Sequence, residues 1–194
     1  MHHHHRAFGR HLDTLAIAVV DNRGSILSLM RAMLAAIGTG RIETYESPTQ
    51  ALDAMGENIP DVVIAAATMQ PLSGPRLVET MRHRTSGPLS LVPAMIMSMH
   101  ATPALVEEAL RAGAHQVLVL PTTASTLYRR LSWLISDDRR FELRGDHYMV
   151  AGLEERIALS FQRPIYSPAQ GEPEAGERHG SGHGRATKAQ VAPH

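Results

Sequence analysis

The stretch DVVIAAATMQPLSG, residues 61 to 74, decides the fold. Its apolar run from Val62 to Ala67 is unbroken and stops at Thr68, Pro71 and Gly74, the pattern of a buried strand running out into a turn. In an α/β protein the exits of such strands carry the reactive side chains. This strand exits on Ala65, Ala66 and Ala67, which offer only methyl groups.

Working outward, the segments alternate. Leu15 to Val20 is a short apolar strand ending at Asp21, and Ile26, Met30, Met33, Leu34 and Ile37 follow at helical spacing up to Gly38. Arg41 to Glu46 reads as a second strand, with Ser47 and Pro48 supplying the cap and first-turn proline of a helix through Met55. Beyond the opening stretch, Leu77, Val78 and Met81 mark a helix over Gly74 to Arg84, followed by a polar loop from Thr85 to Pro88. Pro93 to Ser98 is a fourth strand with a hydroxyl at its exit. Thr102 and Pro103 open a helix running to Gly113, Val117 to Leu120 is a fifth strand stopped by Pro121, and Leu127, Leu131, Leu134 and Ile135 define a helix ending near Asp137.

Five strands, most of them apolar along their length, alternating with five helices predict a doubly wound parallel sheet covered on both faces. Its functional groups belong at the strand exits, where Asp21 with Asn22, Ala66, Ser98 and Leu120 stand. The domain spans 13–136, after an N-terminal segment at 1–12. An appendage at 137–163 carries an extended stretch through Phe141 and Leu143, a turn at Gly145, and a helix with Leu153, Ile157 and Leu159. Residues 164–194 are rich in Gly, Pro, Glu and Ala, a composition that predicts disorder.

Composition removes several chemistries. The 194 residues include no cysteine, which excludes disulfides, thiolate metal sites and cysteine nucleophiles and suits a reducing cytoplasm. The formal net charge is zero, so nothing draws the chain generally to nucleic acid or anionic membrane. No DNA-reading module of adequate size is read after residue 136, and no apolar run is long enough for a membrane span. Lys188, in the tail, is the single lysine, so the globular part contains no P-loop or Schiff-base lysine. His2 to His5 reads as a purification tag or unstructured start and is set aside from function.

The order of segments and their exits resembles the receiver domain of two-component response regulators, over roughly residues 13 to 136. VVDN (Val19 to Asn22) resembles the acidic pair ending the family's first strand, with Asn22 replacing one acid. PDVVIAAATMQPLSG resembles the phospho-acceptor segment, with Met69, Pro71 and Gly74 retained and Ala66 at the acceptor position. MIMSMHA puts Ser98 at the family's hydroxyl position. AGAHQVLVLP (Ala112 to Pro121) resembles the run into a Lys-Pro, usually a cis peptide, with Leu120 for the lysine and Val117 for an aromatic switch residue. The resemblance implies a CheY-like sheet in order 2-1-3-4-5.

Receiver phosphorylation needs a carboxylate nucleophile, Mg²⁺ held by acids, and a lysine and hydroxyl on the product. Ala66 has no lone pair to attack with, and Asp21 without its partner acids is expected to hold Mg²⁺ weakly or not at all. Asp61 begins the same strand, roughly 16 Å from its exit, and reads as a polar strand start. Ala66 with Leu120 is a compatible apolar replacement for a charged pair, since removing both partners is far cheaper than removing one. Ser98, His100 and Asp21 lack the nucleophile-elbow setting of a hydrolase triad.

The expectation is a pseudo-receiver: a phosphorylation-independent, cytoplasmic interaction module with no catalytic residues and no resident metal. By resemblance its partners are a histidine kinase, a response regulator or a second copy, on the face of the fourth helix, fifth strand and fifth helix. The alternative is a sensor for an anion or cyclic dinucleotide, which arginine forks suit, through Arg129, Arg130, Arg139, Arg140 and Arg144.

Overall fold

The computed structural model describes residues 3–162. The disorder expected for 164–194 lies outside these residues, as do His2 and the last position of the 137–163 appendage.

Each sequence signal becomes an element. β1 (Ala16–Val20), β2 (Arg41–Tyr45), β3 (Val62–Ala66), β4 (Ala94–Ser98) and β5 (Gln116–Val119) form one parallel sheet in the order β2-β1-β3-β4-β5. Register places Val20 beside Ala65, Ala66 beside Met97, and Ser98 beside Val119, so the exits end together. β1 and β3 are buried nearly throughout, because helices cover both faces.

The helices are α1 (Gly24–Ala36), α2 (Pro48–Glu57), α3 (Gly74–Arg82), α4 (Pro103–Arg111) and α5 (Ala124–Ile135). Ser47, Ser73, Thr102 and Thr123 each accept a backbone N–H from the third residue of the helix that follows. Gly74 allows the start of α3 to lie against β3: a Cβ there would come within 2.3 Å of the Ala66 carbonyl oxygen.

Two departures concern the edges. The loop expected after α3 is a 3-10 segment (Arg84–Leu91), kinked at Gly87 where φ is 56°. In the appendage, β6 (Phe141–Arg144) is joined through Gly145 to β7 (His147–Val150) as an antiparallel hairpin, followed by α6 (Leu153–Gln162). The sequence pattern marks only the first of these strands, because His147, Tyr148 and Met149 are all half-buried and no alternation shows.

The histidine run is a correction. His3 pairs with Phe141 through backbone bonds in both directions, and His5 is buried with its Nε2 donating to the Asp137 carbonyl at 3.0 Å. These residues are packed, and the reading of an unstructured start does not hold for them.

Candidate functional site

The exits of β1, β3, β4 and β5 gather the positions expected from the sequence. Ala66 is 1% exposed, and its methyl faces the same core cluster as Leu120, which is 3% exposed. The Leu120–Pro121 peptide is cis, as is Gln70–Pro71. The Ala66 and Leu120 side chains at this exit are thus both apolar and buried.

Asp21 is fully buried, and it is not free. The guanidinium of Arg23 forks onto it, Nε to Oδ1 at 2.9 Å and Nη2 to Oδ2 at 2.7 Å, while the Arg23 backbone N–H donates to Oδ1 at 2.9 Å. Such bidentate, charge-assisted pairs are the strongest hydrogen bonds available to a carboxylate. The bond to Asp21 in turn holds Arg23 above its ordinary pKa.

Asn22 acts as a cross-link. Its Nδ2 donates to the carbonyls of Glu46 and, at 3.2 Å, Gln70, and its Oδ1 accepts the Gln70 backbone N–H at 2.7 Å. One amide so joins the exit of β2 to the loop after β3, and only a side chain with both donor and acceptor can do this. Ser98 closes a loop of its own: its Oγ donates to the His100 carbonyl at 2.9 Å and accepts the His100 N–H at 3.1 Å. Asp21, Asn22 and Ser98 are all engaged by neighbouring chain. A hard divalent ion favours several charged oxygens in octahedral array, and a single carboxylate claimed by a guanidinium does not fit it.

The arginines read as an anion site are dispersed over α5, the following loop and β6. Arg139 forks onto Asp137 at 2.7 and 2.6 Å and lies over the Trp133 ring at 5.1 Å. Arg144 pairs with Glu142 at 3.3 Å, Arg130 bonds Gln116 at 3.3 Å, and Arg129 bonds Thr126 at 3.3 Å. Arg140 is exposed, and its backbone carbonyl accepts from Ala151. Val117, the expected switch position, is half-buried between the main core and a smaller apolar cluster.

A shallow groove of about 380 Å³ lies at the opposite end of the sheet, lined by Arg76, Glu79, Thr80, His83, Thr85, Ser86 and His147. It contains none of the strand-exit residues. That end also holds the groups that pattern reading missed. Arg82 is fully buried, donating to the carbonyls of Gly113 (3.0 Å), Ser90 (2.9 Å) and Val92 (2.8 Å), and stacks 4.6 Å from the Phe141 ring centroid. Burial, and secondarily Arg156, pushes its pKa down to about 9, which still leaves it charged at neutral pH. Arg156, from α6, donates to the carbonyls of Ala114 and His115 and is pushed down to about 10, mainly by burial. His115 is held well below the usual imidazole range by burial first and then by Arg82 and Arg156. A signal for Arg82 was present: Leu77, Val78, Met81 and Arg82 follow the i, i+1, i+4, i+5 spacing of one buried stripe.

These features define a receiver-type α/β module: a five-stranded parallel sheet in the order β2-β1-β3-β4-β5 flanked by helices. The family model for the response regulator receiver domain matches residues 17–132, and the chain belongs to that family. Among solved structures it is similar to the chemotaxis protein CheY4 of Vibrio cholerae, at 23% identity and a TM-score of 0.58, over 62% of this chain and 98% of that one. The receiver domain of a Pseudomonas aeruginosa sensor histidine kinase, described with a magnesium ion in its active site cleft, is 21% identical with a TM-score of 0.58, covering 64% and 99%. NtrX from Brucella abortus matches at 20% identity and a TM-score of 0.57, over 77% of this chain and 30% of that one. Among the described residues, no helix is long and apolar enough to cross a membrane.

Proposed function

We propose that this receiver signals by binding other proteins without being phosphorylated, as a pseudo-receiver in the cytoplasm and not as an enzyme. The observation that carries the reading is the Arg23 fork on Asp21, set beside an acceptor position that is a buried methyl group. A phosphoryl group needs a nucleophile and a cation at this exit. The acceptor position supplies no attacking atom, and the buried acid at the exit of β1 is already neutralised by Arg23. Mg²⁺ is accordingly expected to bind weakly or not at all.

The partners are signalling proteins: a kinase, another regulator, or a second copy of this chain. The surface proposed for them is the side formed by α4, β5 and α5, where Tyr128 and Trp133 are about half exposed on α5. The test is incubation with a small-molecule phosphodonor and Mg²⁺, followed by intact mass measurement. No added phosphoryl mass is expected, and a stable, acid-labile phosphate would overturn the reading.

The alternative of a cyclic dinucleotide or other anion sensor has less support, because Arg139 and Arg144 already hold Asp137 and Glu142. Calorimetry with cyclic dinucleotides on the wild type and an Arg139→Ala/Arg140→Ala variant separates the two. Heat of binding that the double variant abolishes would favour the sensor.

A further inference from the structure

The appendage attaches in two unequal pieces. The hairpin is fastened deeply: Phe141 is 1% exposed, lies against Arg82 and 5.5 Å from the His115 ring, and pairs with His3, while Arg84 meets Asp146 at 2.8 Å. The helix α6 is held differently. Its Leu153 and Ile157, four residues apart, meet Val106 and Leu110, four residues apart on α4, with Val117 and Met149 at the margin. This cluster is separate from the main core. Arg156 adds hydrogen bonds to the Ala114 and His115 carbonyls between α4 and β5, and Glu154 lies 3.8 Å from Arg111 at the rim. The two pieces meet at Gly152, where φ is 73°.

An amphipathic helix lying in a groove through an i, i+4 aliphatic pair is a common way for one protein to recognise another. Here the helix belongs to the same chain. Elements held by few apolar contacts open locally before a core does. We infer that α6 is a reversible latch, an internal occupant of the α4–β5 groove, which must leave before a partner docks there. The partner it excludes is an amphipathic helix of the same chemistry: two aliphatic side chains four apart with a basic residue in the turn between them. The inference rests on the reading above only in taking this face as the protein-binding one.

The absence of cysteine makes a clean test possible. In the full chain, Val106→Cys/Ile157→Cys locks the latch when oxidised, and Leu153→Asp/Ile157→Asp opens it. The probe is a fluorescein-labelled peptide of residues 150–162. The opened variant is expected to bind it, and the wild type about a hundredfold more weakly, since a tethered competitor acts at high effective concentration. The oxidised lock is expected not to bind it, and reduction restores the wild-type level.

Amide exchange across 103–120 should be faster in the opened variant than in the lock, with exchange in β1 and β3 unchanged. Equal peptide binding by the locked and reduced forms would overturn the latch. So would an opened variant that keeps its protected sheet yet ignores the peptide, or one that loses protection throughout. If the opened variant yields no folded protein, the oxidised-versus-reduced comparison decides alone. No phosphodonor enters these experiments, so their failure is distinct from a phosphorylated receiver.

Discussion

The two ends of the sheet treat charge in opposite ways. At the strand exits, Asp21 is neutralised by a half-exposed arginine two residues along the chain, while Asn22 and Ser98 bond backbone nearby. At the strand entries, Arg82, Arg156, His5 and His115 are drawn into the interior, while the two buried carboxylates of that end are already held by other arginines, Asp137 by Arg139 and Asp61 by Arg6 and Arg10. Arg82 Nη2, Arg156 Nη1 and His5 Nδ1 have no hydrogen-bond partner among the described residues. The entry end nevertheless joins the N-terminal segment, the hairpin and α6 to the receiver. Charge at the exits is paired within a few residues of the chain, and buried charge at the entries serves attachment.

Arg82→Met breaks this contrast most severely. The substitution roughly preserves volume but leaves three buried carbonyls without their donor and removes the stack on Phe141. Unpaired buried groups cost about 1–3 kcal/mol each, offset by relief from burying a charge, so urea unfolding should show a loss of about 3–5 kcal/mol. A loss under about 1 kcal/mol would mean that the buried guanidinium contributes little net stability. At the exit end the largest effect belongs to packing. Gly74→Ala drives a Cβ into the Ala66 backbone, which cannot yield as a flexible side chain does, and should cost about 1–3 kcal/mol by the same measurement.

Acid sharpens the contrast next. His115 and His5 both titrate below the ordinary imidazole value in the folded protein, chiefly because burial disfavours their charged forms. For His115 the backbone contact agrees, since its Nδ1 accepts the Ala94 N–H and so must be unprotonated there, whereas the bond of His5 to the Asp137 carbonyl partly offsets its burial. A lowered folded pKa means that the unfolded chain binds protons first. Stability from these groups is intact above about pH 6.5 and falls as pH drops below it, by at most ~1.4 kcal/mol per pH unit for each group. Thermal unfolding between pH 7.5 and 5 should show this slope, and His115→Gln should remove a large part of it. An unchanged slope would place the acid sensitivity elsewhere.

How much of this was legible in the sequence follows from range. The five strands, the caps at Ser47 and Thr102, and the buried alanine exit of β3 were readable, because each is set by its own few residues. Hydrophobic periodicity also placed α6, though not its partner, since Val106 and Leu110 are over forty positions away in the chain. The entry-end cluster was hidden for the same reason: His5, Arg82, His115, Phe141 and Arg156 are scattered in sequence and meet only in the fold. Arg23 is the instructive omission. It follows Asp21 and Asn22 directly, yet a cation beside an acid reads as a solvated pair until the acid proves to be buried.

The smallest effect tests Arg23 itself. Its side chain is 46% exposed, so water screens the pair, and Arg23→Ala should cost only about 1 kcal/mol of stability. Its consequence for metal is sharper. Alone, the substitution frees one carboxylate beside an amide and a methyl, a donor set still too poor for Mg²⁺. With Asn22→Asp and Ala66→Asp added, three carboxylates converge at the exit, and their mutual repulsion makes a divalent cation favourable. In that background, restoring Arg23 puts a competing guanidinium on both Asp21 oxygens, and Mg²⁺ affinity, followed by thermal shift, should fall about tenfold, or ~1.4 kcal/mol. Equal affinities with and without Arg23 would show that the guanidinium only decorates the exit. A tenfold loss would show that the guanidinium competes with a divalent ion for Asp21, so that the chain supplies at this exit a cation of its own.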